Sequence, residues 1–392
     1  MTDFIKTSEK KSVNQSATRP LTGRKVMYVV ESGERVGENI RQHMQAICAL
    51  GAHLTTCCLS GKASTVIKAQ CDVIIELGLS PKQLSGNRLR AALALRRILI
   101  ASDSDTLVCD QYKAVTTTLM ATIFSPAPRS RIIALLRGYY ALSSRSRRRV
   151  YRLFSRKLSG IIALTTAQKQ HFLSLTPWLR PEQVHVVPNY LDYENLRANM
   201  LPREQARQAL GLSQKSLVIG CIARFDPYKR LKDLVAAMPE VLANQPLAHL
   251  SLIGQGRTLE SIRKQTRELS LQEHVTLHGY QPDASRLLKA FDIFVFPSEG
   301  DNFARVLLEA MAAELPIIAA DAAGTPEVVA DKACLVPPRT PQAIAAALLQ
   351  LAARSATQRE KLGQAGYCFT RQKHTQSALQ SALQKALEHG AS

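Results

Sequence analysis

The chain has 392 residues, 46% of them hydrophobic, and its 51 Lys and Arg against 31 Asp and Glu leave a net charge of +20. That length is enough for two domains, each with its own core. Its apolar runs, such as residues 91–95 and 343–349, fall far short of the ~20 residues that cross a bilayer. The eight cysteines, at 48, 57, 58, 71, 109, 221, 334 and 368, show neither a metal-ligand spacing nor a disulfide framework, which fits a reducing cytoplasm.

Residues 1–22 are polar and charged without an apolar segment; they exclude a secretory signal and read as a disordered leader. Residues 25–30 form an apolar strand, Gly33 and Gly37 sit in the loop after it, and residues 39–50 read as a helix ending at Gly51. Strands follow near 53–59, 72–77, 106–109, 131–136, 160–164 and 184–187. This alternation predicts a parallel sheet with helices on both faces.

Charge is uneven along the chain. Residues 1–200 carry 29 Lys and Arg against 13 Asp and Glu, and residues 111–181 contain no carboxylate at all. Arg145, Arg147, Arg148, Arg149, Arg152, Arg156 and Lys157 cluster there, while Val150, Leu153, Phe154, Leu158 and Ile161 recur at three- and four-residue intervals. The pattern predicts a helix with an apolar seam and cationic flanks. Such a helix either docks on the core with solvated arginines or attaches to an anionic leaflet. A nucleic-acid footprint lacks the aromatic interleaving it would need.

In the second half, strands near 217–223, 249–253, 275–278, 292–296, 316–319 and 333–336 alternate with helices. Arg224 and Lys229 follow the first of these on a short proline-containing loop, where ligands of open α/β sheets collect. A basic loop alone is usually solvated surface, but two fixed cations at a strand's carboxyl end can hold a diphosphate. The run Ser298-Glu299-Gly300-Asp301-Asn302-Phe303-Ala304 leads into apolar residues at helical spacing, with Glu309 eight positions after Asp301. A helix capped by Asp301 or Asn302 would set the two carboxylates roughly 12 Å apart along its axis. Its first backbone N–H groups would then face an anion between them. The plainer alternative is an acid-rich helix start. No Asp-x-Asp flanks a strand in the way a metal-bound diphosphate would need, so no essential metal is expected.

Together these motifs resemble the retaining family 4 glycosyltransferases of the GT-B fold, over roughly residues 24–350. Arg224 and Lys229 match that family's Arg-x4-Lys pair, and Asp301 and Glu309 its acidic-x7-Glu motif. Val187-Pro188-Asn189, Leu252-Ile253-Gly254-Gln255-Gly256, Gly279-Tyr280 and Gly324-Thr325-Pro326-Glu327 agree in order. The resemblance implies an α/β protein of two Rossmann-like domains facing across a cleft. It divides the chain into an acceptor domain at 23–190, a linker at 191–203, a nucleotide-sugar domain at 204–365 and a terminal helix, 366–392, returning to the first domain. By the same resemblance Arg224 and Lys229 bind the donor diphosphate, Asp301 sits by the transferred sugar, and Glu309 binds ribose. Asn302, Phe303, Ala304, Gly254, Gly279 and Tyr280 complete the donor site, the last two beside the base. Gly33, Gly37 and Arg137 face the acceptor or cleft, and Arg145, Arg148, Arg149 and Arg152 a membrane.

Three departures stand out. The first acid is Asp where the family usually has Glu, Ala304 replaces a common Gly, and Arg137 stands where a His often follows the strand. Glu299 is a second candidate for the acid that meets the sugar. The expected activity is retaining transfer of a hexose-type sugar from a nucleoside diphosphate, uridine favoured over guanosine, without metal or other cofactor. The expected acceptor is lipid-linked, a lipopolysaccharide or another polysaccharide, met at the inner face of the cytoplasmic membrane, and no nucleic-acid partner is expected. Alternatives are a nucleotide-sugar hydrolase or epimerase of the same fold, or a non-catalytic basic binding protein.

Overall fold

The computed structural model describes residues 5–7, 19–34, 36–85, 88–123 and 130–388. The chain divides into two compact units, one of residues 1–190 with 376–392, the other of residues 191–375.

The first unit is built on strands β1 (Ile5–Thr7), β2 (Lys25–Ser32), β3 (His53–Ser60), β4 (Val73–Glu76), β5 (Thr106–Asp110), β6 (Arg131–Leu135), β7 (Leu158–Ala163) and β8 (Val184–Val186). They lie in the order β1-β4-β3-β2-β5-β6-β7-β8, all parallel except β1, which pairs antiparallel with β4. Val26, Met27, Tyr28, Val29 and Val30 are all buried, as a central strand covered on both faces requires. The order reverses between β2 and β5, so this unit's topological switch point lies at their carboxyl ends.

The second unit carries β9 (Leu217–Ile222), β10 (Ala248–Ile253), β11 (Val275–Leu277), β12 (Ile293–Phe296), β13 (Ile317–Ala320) and β14 (Cys334–Val336). All are parallel, in the order β11-β10-β9-β12-β13-β14, with the switch point between β9 and β12. Gly220 lets β9 pass beneath the Phe291 ring, since a Cβ there would lie 2.1 Å from it.

Several sequence expectations need correction. Most of the leader lies outside the described residues, but Ile5–Thr7 extends the sheet, and Leu21 is buried with its N–H donating to Leu50 O at 2.8 Å. Residues 191–203 are packed parts of the second unit. Tyr193 is buried with its hydroxyl 2.8 Å from Thr370 Oγ1, and Arg197 donates to Ala312 O and Glu314 at 2.8 Å each. The helix Ala356–Lys373 also stays with that unit, because Gly363 brings its backbone against Glu314 O, 1.7 Å from where a Cβ would stand. Only the helix Gln376–Glu388 joins the first unit, burying Leu379, Leu383 and Leu387. The arginine-rich helix ends at Leu153, which is exposed, and Leu158 and Ile161 belong to β7. The regular spacing that suggested one seam straddled a helix end and the strand after it.

Candidate active site

At the switch point of the second unit, the loop after β9 faces the loop after β12. A short 3-10 turn over Pro227–Lys229 folds the first loop back, with Arg230 in the left-handed region at φ 55°. Glu299 N donates to Tyr228 O at 3.0 Å, stitching the two loops together. Lys229 Nζ lies 2.5 Å from Asp301 Oδ2 and over the rings of Phe296 and Tyr228, 5.0 and 5.3 Å from their centroids. Ser298, fully buried, donates from Oγ to the same Oδ2 at 2.5 Å. The ammonium and the carboxylate are thus oriented by packing before any ligand arrives, as electrostatic catalysis requires.

Arg224 is held more loosely. Its Nη2 donates to Tyr228 Oη at 2.8 Å and its Nε meets Asp226 at 2.5 Å, yet the side chain stays 67% exposed. Asp226 also takes Arg257, at 3.1 Å. The guanidinium therefore keeps a face open to a second anion.

The helix after β12 runs Arg305–Ala312, and its N-cap is Ala304 with no side-chain cap. Asp301 does not cap it, because its carboxylate is taken by Lys229 and Ser298. Since residues 301–304 are not helical, the rise from the helix start to Glu309 is only ~6 Å. Ala304, at the N-cap, has no polar side chain with which to compete with an incoming anion for the first-turn N–H groups. Glu309 sits one turn in, paired to Arg305 at 3.4 Å; burial pushes its carboxyl up and Arg305 opposes the shift. A half-buried carboxylate with one long ion pair suits a ligand that brings hydroxyl donors.

The other residues expected at a donor site frame these groups. Gly254 adopts φ 138° and lies so close to the loop after β9 that a Cβ would be 1.8 Å from Ala223 O. Its N–H donates to Gly279 O at 2.8 Å. Gly279, φ 69°, has open space where a side chain would be, and Tyr280 beside it is exposed. Asn302, Phe303 and Ala304 are buried, and Phe303 packs edge-on against His374, ring centroids 5.3 Å apart. Glu299 is spoken for: Arg339 binds it through Nε at 2.6 Å and Nη2 at 3.1 Å. Between the two acids, only Asp301 touches Lys229. Sequence reasoning assigned no role to Tyr228 and Ser298, although both lie inside the motifs that it singled out.

In the first unit, a cavity of about 800 Å³ opens at the switch point, lined by Glu31, Glu34, Gly37, Asp110, Lys113 and Arg137 among others. Arg137 Nη2 meets Asp110 Oδ2 at 2.7 Å and Tyr28 Oη at 3.4 Å, and Asp110 is only 2% exposed. Burial pushes the Asp110 carboxyl up, and Arg137 opposes that shift. Behind them His43 is buried, its imidazole pushed down to about 3 by burial and by Arg137. Arg137 is thus the counter-ion of a buried acid. Gly37 borders the cavity, whereas Gly33 is a packing glycine, its Cβ position 2.6 Å from Lys62 O. Of the arginines read as membrane-facing, Arg145 and Arg149 are exposed. Arg148 caps the preceding turn through Leu142 O and Ser143 O at 2.9 and 2.7 Å, and Arg152 lies over Trp178 at 5.8 Å.

Two parallel-sheet Rossmann-like units with these switch points define the GT-B fold. The Anabaena protein HepE, solved in complex with UDP and glucose, superposes with a TM-score of 0.76 over 93% of this chain and 100% of its own at 19% identity. Residues 202–368, within the second unit, match the family model described as Glycosyl transferases group 1. The chain is 32% identical over 158 residues to D-inositol 3-phosphate glycosyltransferase of Segniliparus rotundus, a match covering 39% of this chain and 35% of that protein. It is 33% identical over 144 residues to a GDP-mannose-dependent monoacylated phosphatidylinositol monomannoside mannosyltransferase of Corynebacterium glutamicum, covering 34% and 37%. The matches thus span little more than a third of these curated relatives.

Proposed function

We propose that the protein is a retaining glycosyltransferase that moves a hexose-type sugar from a nucleoside diphosphate to a lipid-linked or polysaccharide acceptor. The observation that carries this reading is the Lys229–Asp301 pair at 2.5 Å, set beside the half-open guanidinium of Arg224 and the uncapped start of the helix Arg305–Ala312. In the reaction the bond from the anomeric carbon to the diphosphate breaks, and its electron pair goes to the departing phosphate oxygen. Arg224, Lys229 and the helix N–H groups stabilise that charge, and this stabilisation lowers the barrier to transfer more than any other contact. The acceptor hydroxyl oxygen bonds to the anomeric carbon from the same face, and its proton passes to the departing phosphate. Asp301 accepts from a sugar hydroxyl and Glu309 from the ribose. With two cations and the helix start on the diphosphate, no divalent metal is required.

UDP is the favoured donor nucleotide, in keeping with the UDP held by the Anabaena structure, although the Corynebacterium relative is named for GDP-mannose. A lipid-bearing acceptor is favoured by that relative's name and by the first unit's positive charge, and the reaction is assigned to the inner face of the cytoplasmic membrane. Among the described residues no helix is long and apolar enough to cross a membrane. The test is release of nucleoside diphosphate from a sugar-nucleotide in EDTA, with and without an extracted glycolipid fraction. Acceptor-dependent release supports the reading. Turnover indifferent to acceptor would overturn it in favour of a hydrolase or epimerase.

A further inference from the structure

The helix Leu89–Ala101 is amphipathic in an unusual sense. Its inner face buries Ala91, Ala92, Leu95 and Leu99, but Leu89, Leu93 and Ile100 are 45%, 44% and 59% exposed. At 100° per residue these three fall within about 40° of one another, with Arg90 and Arg97, both exposed, along one flank. A water-facing helix normally places polar residues there. This one presents an apolar stripe beside two cations.

The stripe belongs to a larger layer. The helix Leu89–Ala101 packs against the helix Gln111–Ala121. That helix meets Arg145–Leu153 through Tyr112, whose ring is stacked on Tyr151 at 6.3 Å and lies between Arg88 and Arg147, 5.1 and 4.7 Å from its centroid. Lys157 Nζ donates to Thr122 O, tying the far ends together. Residues 77–102 and 111–181 contain no Asp or Glu, so no helix of this layer carries a carboxylate. Its exposed side adds Arg145, Arg149 and Arg152, and Leu153 at 78% exposure. Apolar side chains able to enter an acyl boundary, cations beside them and no anion anywhere in the layer are together complementary to an anionic lipid surface.

We infer that the layer formed by helices Leu89–Ala101, Gln111–Ala121 and Arg145–Leu153 is the seat of the protein on an anionic bilayer, with Leu89, Leu93 and Ile100 as its apolar anchor. The inference deepens the proposed function by naming the surface that meets the membrane, and it rests on that reading only for the lipid-borne acceptor. It relocates the contact from the arginine cluster alone to a neighbouring helix, because Arg148 is held by backbone carbonyls and Arg152 by Trp178. A nucleic acid would use the cations but has no use for the leucines.

The test is flotation of the full chain with vesicles of phosphatidylcholine, with and without phosphatidylglycerol, at low and high salt. Wild type is expected to float with the anionic vesicles and to be partly released by salt. Leu89→Ser/Leu93→Ser/Ile100→Ser is expected to weaken binding by on the order of tenfold or more. Arg90→Gln/Arg97→Gln/Arg149→Gln should weaken it by about fivefold per arginine and reduce the salt dependence. Stabilisation by a sugar-nucleotide should be unchanged in both variants, which shows that they are folded. Failure of wild type to float, or undiminished flotation of the leucine variant, would overturn the inference. Sugar-nucleotide binding and acceptor-dependent turnover in detergent would persist in that event, so the two readings fail separately.

Discussion

Two arginines, each at the carboxyl end of a strand, meet opposite fates in the two units. Arg224 follows β9, stays 67% exposed and leans on a tyrosine hydroxyl and an aspartate that a second arginine also serves. Arg137 follows β6, is 15% exposed and closes on a buried aspartate and a buried tyrosine. The chemistry of the side chain is the same, but the first keeps capacity for an anion that comes and goes, while the second is committed to a charge that never leaves. Of these two arginines, the one proposed to serve a ligand keeps replaceable partners, and the one that serves the fold is locked.

The largest effect should come from the oriented ammonium. Lys229→Ala is expected to lower kcat for donor turnover by on the order of 10²–10³-fold, the range for losing one oriented charge on a leaving group. Next, Arg137→Ala leaves Asp110 buried without its counter-ion and should cost about 3–5 kcal/mol in denaturant unfolding, whereas Arg224→Ala should fall within about 0.5 kcal/mol of wild type. If instead Arg224→Ala unfolds the protein and Arg137→Ala does not, the contrast between the two arginines is reversed.

A subtler test concerns Glu309. Burial raises its carboxyl pKa, so on acidification it takes up a proton above the ordinary Glu range. The ligand-free protein gains stability from this group as pH falls through the raised pKa, because the folded state then binds more protons than the unfolded. Donor affinity moves the other way, since the ribose acceptor is lost. Calorimetric titration with a sugar-nucleotide should show affinity weakening on acidification in wild type. Glu309→Gln should bind about tenfold more weakly at neutral pH and show a flat profile. The smallest effect is expected at Glu299, whose pair with the exposed Arg339 contributes about 0.5 kcal/mol or less. Glu299→Gln should leave turnover nearly unchanged where Asp301→Asn lowers it, and equal losses in both would return Glu299 to the site.

Most of the fold was legible because buried parallel strands are short apolar runs bounded by turns; the strands read from residues 25–30, 217–223 and 292–296 all appear. The residues proposed for the donor site could be read together because Arg224, Lys229, Asp301 and Glu309 come from two local motifs that follow neighbouring strands. What escaped was set by distant residues. Glu299 pairs with Arg339 forty positions on, Arg137 with Asp110 on the neighbouring strand, and Leu21 with Leu50 O. No period encodes these contacts. The helix start at Ala304 was misplaced because Asp301, a good cap by type, is drawn off by Lys229, which lies on another loop. The exposure of Leu89, Leu93 and Ile100 was not legible either, because hydropathy alone does not say which face of a helix is covered.

The central claim is that paired cations after β9 and an acid after β12 grip a nucleoside diphosphate, and thermal shift tests it most directly. A panel of uridine, guanosine and adenosine diphosphates and their sugars in EDTA should include one that raises the melting temperature of wild type, and the shift should vanish in Lys229→Ala and in Arg224→Ala. Stabilisation by none of them, or an equal shift in all three proteins, would contradict it.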